Sequence, residues 1–415
     1  MYDILIVGSG IAGLHVAIEW LTRHPNRPCA LVERYPTPGG RIHTHHESLP
    51  GRGRLSWESG AGRISTRHPR VLGLLHRYGL TTHPLSPTWR SYPPAPNPFT
   101  ALADLYLPPL RRLPPTVLRR NTLATLLHRV HPHDTDWIRS FPYHAEFHTL
   151  RADLALEALE AGELHSPEGF VVCQEGLSTL IQRMTDDFLQ RGGILLTGRQ
   201  AVSVKKAGHH LTVTLAHTTD KKQDNAKKQD ILHAHRIVLA MDAESLRTFH
   251  PRLPVLRHLA SPPLLRIYAV FPVRNGKAWF SDLSTTVLED SPLRFFIPVQ
   301  PDKGVVMISY TEGADADHWM KMPRDLRHQR VLQEARRVFH DHTIPDPLAM
   351  QSHPWKTGCT YWLPGDYDPH KESDASVQPL KGWPLYVCSE SFAVEQSWME
   401  SALVQAEKVL SRLAT

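Results

Sequence analysis

The chain has 415 residues, 41% of them hydrophobic, which suffices for ordinary cores and leads to an expectation of two domains. The formal net charge is +6, but Lys and Arg are spread along the chain without a nucleic-acid motif, so no nucleic-acid partner is expected. No apolar run approaches the roughly 20 residues that span a bilayer, and a strand beginning at residue 3 leaves no room for a signal peptide, so a cytoplasmic location is expected.

Tyr2 to Arg41 opens with the short β-branched run Ile4–Val7. Gly8, Gly10 and Gly13 follow at G-x-G-x-x-G spacing, then an apolar helix through Leu21, then a second strand, Cys29 to Glu33. This order predicts a dinucleotide-binding βαβ unit. Gly8 permits the tight turn, Gly10 lets the backbone approach a pyrophosphate, and Gly13 lets helix and strand pack closely. The helix N-terminus offers N–H groups to the phosphates. Glu33, 20 residues after Gly13, can accept from an adenosine ribose, with Arg34 beside it. Gly39 and Gly40 then bring a second backbone segment toward the cofactor, and Arg41 can neutralise phosphate. His43, His45 and His46 lack a matching acidic or cysteine set and read as loop histidines, with no metal expected. The row of small residues around Gly60, Ala61 and Gly62 suggests packing against something flat, with Arg63 in its midst as a surface arginine or an anion anchor.

These residues resemble the signature of the flavin-containing amine oxidase superfamily, which includes monoamine, polyamine and L-amino-acid oxidases. The matching residues are Gly8, Gly10, Gly13, Glu33, Gly39, Gly40, Arg41, Thr44, Glu58, Gly60 and Ala61. The second glycine pair separates a flavin from a nicotinamide. The resemblance implies FAD, and it places Arg63 where L-amino-acid oxidases hold the substrate carboxylate; an arginine fork suits such a bidentate pair.

Residues 84 to 120, rich in Pro and Arg, read as irregular and mobile. Residues 121 to 165 read as a helical cap, notably Ala145 to Leu164. The glycine turn at Gly176 is expected to cap a helix from Leu177 to Gln190. Strands are expected at Ile194–Val204, Leu211–Leu215 and Ile237–Ala240, with the polar run between Thr218 and Asp230 as a hairpin tip. The resemblance puts an adenine-side backbone contact at Ala201, or alternatively Val202. Further strands at Pro263–Pro272, Arg294–Pro298 and Val305–Tyr310 suggest an antiparallel sheet over the flavin, followed by a helix from Asp325 to His340. Arg266 stands where most of the family carries a lysine near the reactive flavin nitrogen, and arginine cannot titrate as lysine does. Tyr361 and Trp362 are candidates for the aromatic pocket wall. In the last section, Glu390 resembles the family's acid near the ribityl-pyrophosphate. Trp398 resembles its wall aromatic. Met399 starts a helix whose N-terminal dipole can stabilise charge on reduced flavin. Ser397 and Ser401 replace family glycines.

The expected fold is α/β: a doubly wound Rossmann-like FAD domain (residues 1–83, 166–255 and 350–415) interleaved with a substrate domain of antiparallel sheet and helical cap (84–165 and 256–349). Scattered cysteines (Cys29, Cys173, Cys359, Cys388) fit a reduced protein. The implied reaction is oxidation of an amine, preferentially an L-amino acid. A hydride passes to flavin, the imine hydrolyses, and dioxygen accepts the electrons to give peroxide. No side chain serves as covalent nucleophile. The alternatives are a desaturase or protoporphyrinogen-oxidase-like enzyme, and a flavin-binding protein with little activity. The sequence leaves the oligomeric state open, a homodimer included.

Overall fold

The computed structural model describes the chain except residues 86–88, 93–97, 161–168, 219–228, 251, 289–290 and 415. Strand β1 (Tyr2–Val7), helix α1 (Ile11–Arg23) and strand β2 (Cys29–Val32) form the expected N-terminal unit. β1 lies at the centre of a seven-stranded sheet. Its parallel neighbours are β2 on one side and the end of Gln229–Leu239 on the other, with Ile194–Leu196 and Leu385–Val387 added outside them. Successive β1 side chains point to opposite faces. Ile4 and Ile6 therefore pack under α1, Leu177–Gln190 and the C-terminal helix Met399–Leu413, while Leu5 and Val7 face the cap. Both faces are covered, which is why β1 reads as an unbroken apolar run.

A six-stranded sheet forms the second layer system, in the order Ala349–Trp355, Leu264–Val270, Val305–Glu312, Arg294–Gln300, Thr285–Leu288, Trp89–Ser91. The three expected strands are its centre, and Arg324–Val338 is the expected helix beside it. The hairpin of strands β3 (Thr44–Leu49) and β4 (Gly53–Glu58) ties the two halves together. Glu58 accepts from the Leu177 N–H at 2.8 Å and from Thr44 Oγ1 at 3.0 Å, while Thr44 Oγ1 accepts from the Ser178 N–H at 3.0 Å. The signature residues Thr44 and Glu58 thus cap the helix Leu177–Gln190 by satisfying its first amides.

Three expectations are corrected. Residues 98–119 are not irregular. They form short helical turns, with Phe99, Leu102, Leu107 and Leu110 buried and prolines at first-turn positions, where no N–H is required. The single helix expected from Ala145 is two, His144–His148 and Ala152–Leu159. The Arg151 N–H goes instead to Trp362 O at 2.9 Å, and its buried guanidinium pairs with Asp153 at 2.6 and 2.7 Å. Residues 161–164 of that expectation lie outside the described residues. The strand expected from Ile194 to Val204 is broken at Thr197–Gly198, and its second part, Arg199–Ala207, turns into an antiparallel ladder. The polar hairpin tip falls largely on 219–228, outside the described residues, although the strands flanking it pair antiparallel. No helix among the described residues is long and apolar enough to cross a membrane.

Candidate active site

One cleft of about 1250 Å³ runs from the end of β1 to the antiparallel sheet. Its floor is the glycine turn. Gly8 has φ +108°, and a Cβ there would stand 2.2 Å from Ala240 O. Gly13 is behind the wall rather than in it: a Cβ would lie 2.0 Å from Gly8 O, so the helix touches the strand through bare backbone. Gly10, Ile11 and Ala12 face the cleft, and α1 has no side-chain cap. Ser9, just before the N-cap Gly10, donates its hydroxyl to Glu33 Oε2 at 2.7 Å, alongside its own N–H at 3.0 Å. With the Tyr35 N–H on Oε1 at 2.9 Å, three donors fix the Glu33 carboxylate. A carboxylate offers about four acceptor positions, so one remains for a hydroxyl. Arg34, Ala201 and Val202 line the same end. Ala201 pairs with Leu215 and Ser203 with Thr214, which makes Val202 the extra residue of a bulge. A bulge frees backbone groups from the ladder, and this favours the alternative position, Val202, for a backbone contact.

In the middle of the cleft, Arg41 Nη1 meets Glu390 Oε1 at 2.6 Å and Gly358 O at 3.1 Å. Burial alone would lower the guanidinium pKa; the charges of Glu390 and Asp242 outweigh it and raise it. Burial likewise pushes the Asp242 carboxyl up, and Arg41 with the Ser245 N–H outweighs that, leaving it below the usual range. Gly60, Ala61 and Gly62 line the cleft beside it. The Ala61 N–H donates to Arg41 O at 2.9 Å, and a Cβ on Gly60 would sit 1.9 Å from that oxygen.

At the far end stand Arg63, Arg266, Tyr361, Trp398 and Met399. Arg63 donates to the Tyr143 hydroxyl at 3.2 Å and lies over the rings of Phe170 (4.5 Å) and Trp398 (5.5 Å). Arg266 donates to Glu58 O at 3.3 Å and packs over Tyr310 at 5.4 Å. Ser397 holds φ +73°, the left-handed region a family glycine would occupy, and its N–H is fixed by Glu390 Oε2 at 3.1 Å. The C-terminal helix then begins at Met399 without a side-chain cap.

Trp362 is corrected: it is fully buried, donates to Ala393 O at 2.9 Å and does not reach the cleft. The neighbouring aromatic that does is Trp355, anchored to Ser59 O at 2.7 Å. Sequence reasoning also missed Tyr143, Glu146, Tyr310 and Cys359 as cleft residues. Burial pushes the Cys359 thiol up to about 12.

Residues 11–409 match the family of flavin-containing amine oxidoreductases. The chain belongs to that family. Comparison with curated proteins gives no match. Among solved structures, wild-type putrescine oxidase bound to putrescine is similar at 16% identity and TM-score 0.73, covering 100% of this chain and 99% of that one. Cyclohexylamine oxidase from Brevibacterium oxydans IH-35A is similar at 16% identity and TM-score 0.73, covering 100% of both chains. These likenesses establish the shared fold. The cofactor of this flavin amine oxidoreductase is FAD. The residues present fit it: bare backbone where a Cβ would collide, an uncapped 13-residue helix facing the cleft, and an acceptor carboxylate at the end of β2.

Proposed function

We propose that the protein oxidises the C–N bond of an amine that carries a carboxylate, an α-amino acid being the simplest such substrate. FAD supplies the hydride acceptor, and dioxygen is the proposed terminal acceptor. Gly10 and the α1 amides would hold the pyrophosphate, with Arg41, paired to Glu390, adding positive charge nearby. Glu33 would take the ribose, Arg34 and Ala201 or Val202 would border the adenosine, and Gly60, Ala61 and Gly62 would lie along the flavin. Met399 and the start of its helix would face the flavin ring. Trp398 and Tyr361 would frame the reacting carbon, and Arg266 would place a fixed positive charge in the same wall.

The observation that carries this reading is the placement of Arg63. Its guanidinium is oriented by the Tyr143 hydroxyl and two aromatic faces in the same cleft as the cofactor-binding turn. Oriented guanidinium groups suit bidentate carboxylate recognition. The desaturase alternative calls for a long apolar tunnel, whereas this end of the cleft carries Arg63, Glu146, Tyr143 and Tyr310.

An anaerobic flavin-bleaching screen across amino acids and amines tests the reaction, and no bleaching by any of them would reject it. Arg63→Ala is expected to raise KM for a bleaching amino acid about 10- to 100-fold, the range of a charge-assisted hydrogen bond. KM for a simple amine should change far less. Equal effects on both classes would reject the carboxylate clamp.

A further inference from the structure

Away from the cleft, the helix Arg324–Val338 carries a cation that the fold leaves without an opposite charge. Arg327 is 8% exposed, and an arginine so deeply placed is ordinarily paired. Arg151, 1% exposed, obeys that rule and meets Asp153 at 2.6 Å. Arg327 does not. Its Nη2 donates to Met322 O at 3.0 Å, and its Nε is buried without a partner. Among the described residues no carboxylate acts on it, so burial alone shifts its pKa, downward. Taking a cation out of water without a counter-charge is costly, and one backbone carbonyl does not offset that.

Helical side chains lean toward the N-terminus, and the bond to Met322 O draws this guanidinium under the turn between the helices Gly313–Met320 and Arg324–Val338. Met322 also lines a cavity of about 470 Å³ between those helices. Arg330, Glu334 and Arg337 line it too, and with Arg327 they follow the three-and-four spacing of one helix face. Glu334 is already engaged: Arg337 donates to it at 2.7 and 2.9 Å and Ser291 Oγ at 2.8 Å. Arg330 is left with Gln333 Oε1 at 3.5 Å, the limit of a hydrogen bond. The wall behind is fixed, because Trp319, 2% exposed, donates to Pro292 O at 2.8 Å. Two guanidiniums without an acid thus stand one helical turn apart beside a cavity. Guanidinium forks match phosphate oxygens, and a phosphoryl group carries close to two negative charges at neutral pH.

We infer that this cavity binds a phosphorylated small molecule, whose phosphoryl group is held by Arg330 and supplies the counter-charge to Arg327 behind it. The site is separate from the FAD cleft and independent of the reaction proposed there. The test is calorimetric binding of inorganic phosphate to the FAD-loaded protein, in which the cofactor already fills the other phosphate-binding turn, at an ionic strength held constant with sodium chloride. One phosphate per chain is expected. Arg330→Gln should weaken it at least about tenfold, the range of a charge-assisted hydrogen bond. Arg129→Gln, which removes an exposed positive charge from the helix Leu123–Val130, should leave it unchanged. Arg327→Met is the second variant, because it keeps an unbranched side chain in the buried position and removes the charge. It should abolish binding, and without phosphate it should unfold no lower in temperature than the wild type. Phosphate should raise the Tm of the wild type and not that of R327M. No uptake by the wild type, equal weakening in R330Q and R129Q, or wild-type binding by R327M would each overturn the site. An R327M protein that melts well below the wild type without phosphate would make Arg327 a structural donor to Met322 O and overturn its part in binding. Succinate is the second probe, and tighter binding of this dicarboxylate than of phosphate would overturn the phosphoryl assignment.

Discussion

Gly13→Ala is expected to yield a protein that does not hold FAD and unfolds well below the wild type. The added carbon would stand 2.0 Å from Gly8 O and 3.1 Å from Ala240 Cβ. Neither is the end of a flexible side chain. Gly8 is fixed by its own N–H to Val32 O at 2.8 Å, and Ala240 by its N–H to Val7 O at 2.8 Å. The helix must therefore retreat from the strand. Its buried face, Leu14, Ala17, Ile18 and Leu21, moves with it. Overpacking of a core costs about 1–3 kcal/mol in ordinary cases, and an approach this close to backbone belongs at or above the top of that range. Retreat also carries the Ile11 and Ala12 amides away from the cleft, so flavin affinity and fold fail together. Gly73→Ala is the matched control. It lies exposed within the helix Pro69–Arg77, and a Cβ there meets nothing within 4 Å. It should stabilise the protein by about 0.5–1 kcal/mol. Thermal unfolding with flavin absorbance decides. A G13A protein that is yellow and unfolds with the wild type would refute the close-packing role of Gly13.

What the sequence made legible follows from how local each constraint is. The glycine turn, Glu33 and the second glycine pair lie within about forty residues, and each meets a backbone requirement that few other residues satisfy. The flanking strands could be read because burial on both faces removes polar residues from them. The cap was not legible in this way. Ala145 to Leu164 has the composition of one helix. The break depends on Arg151 finding Trp362 O and Asp153, contacts that exist only once the Trp362 segment has folded beside it. That Trp355 rather than Trp362 reaches the cleft was hidden for a similar reason. Trp355 ends a strand paired with Leu264–Val270, and that register turns its ring to the cleft, whereas Trp362 pairs with Leu259 and points inward. Glu146 gave no signal at all. An acid on a short helix is ordinary until Tyr361 is seen against it.

Arg41→Ala is expected to destabilise the protein more than Glu390→Gln. The Arg41 side chain retains 30% exposure and that of Glu390 only 7%. When the acid is removed, the arginine can swing toward water. A glutamine at 390 can turn its one oxygen to the Ser397 N–H and its amide to the Thr360 and Ser391 hydroxyls, which can accept as well as donate. When the arginine is removed, the carboxylate cannot leave, and an unpaired buried charge costs about 3–5 kcal/mol. The partial exposure of Arg41 places the expected loss toward the lower end of that range. Urea unfolding at pH 7.5, with saturating FAD throughout, measures both losses. The double variant R41M/E390Q should be more stable than R41A, because the stranded charge is gone. Equal losses in R41A and E390Q would mean that the ion pair is not what holds this part of the cleft together.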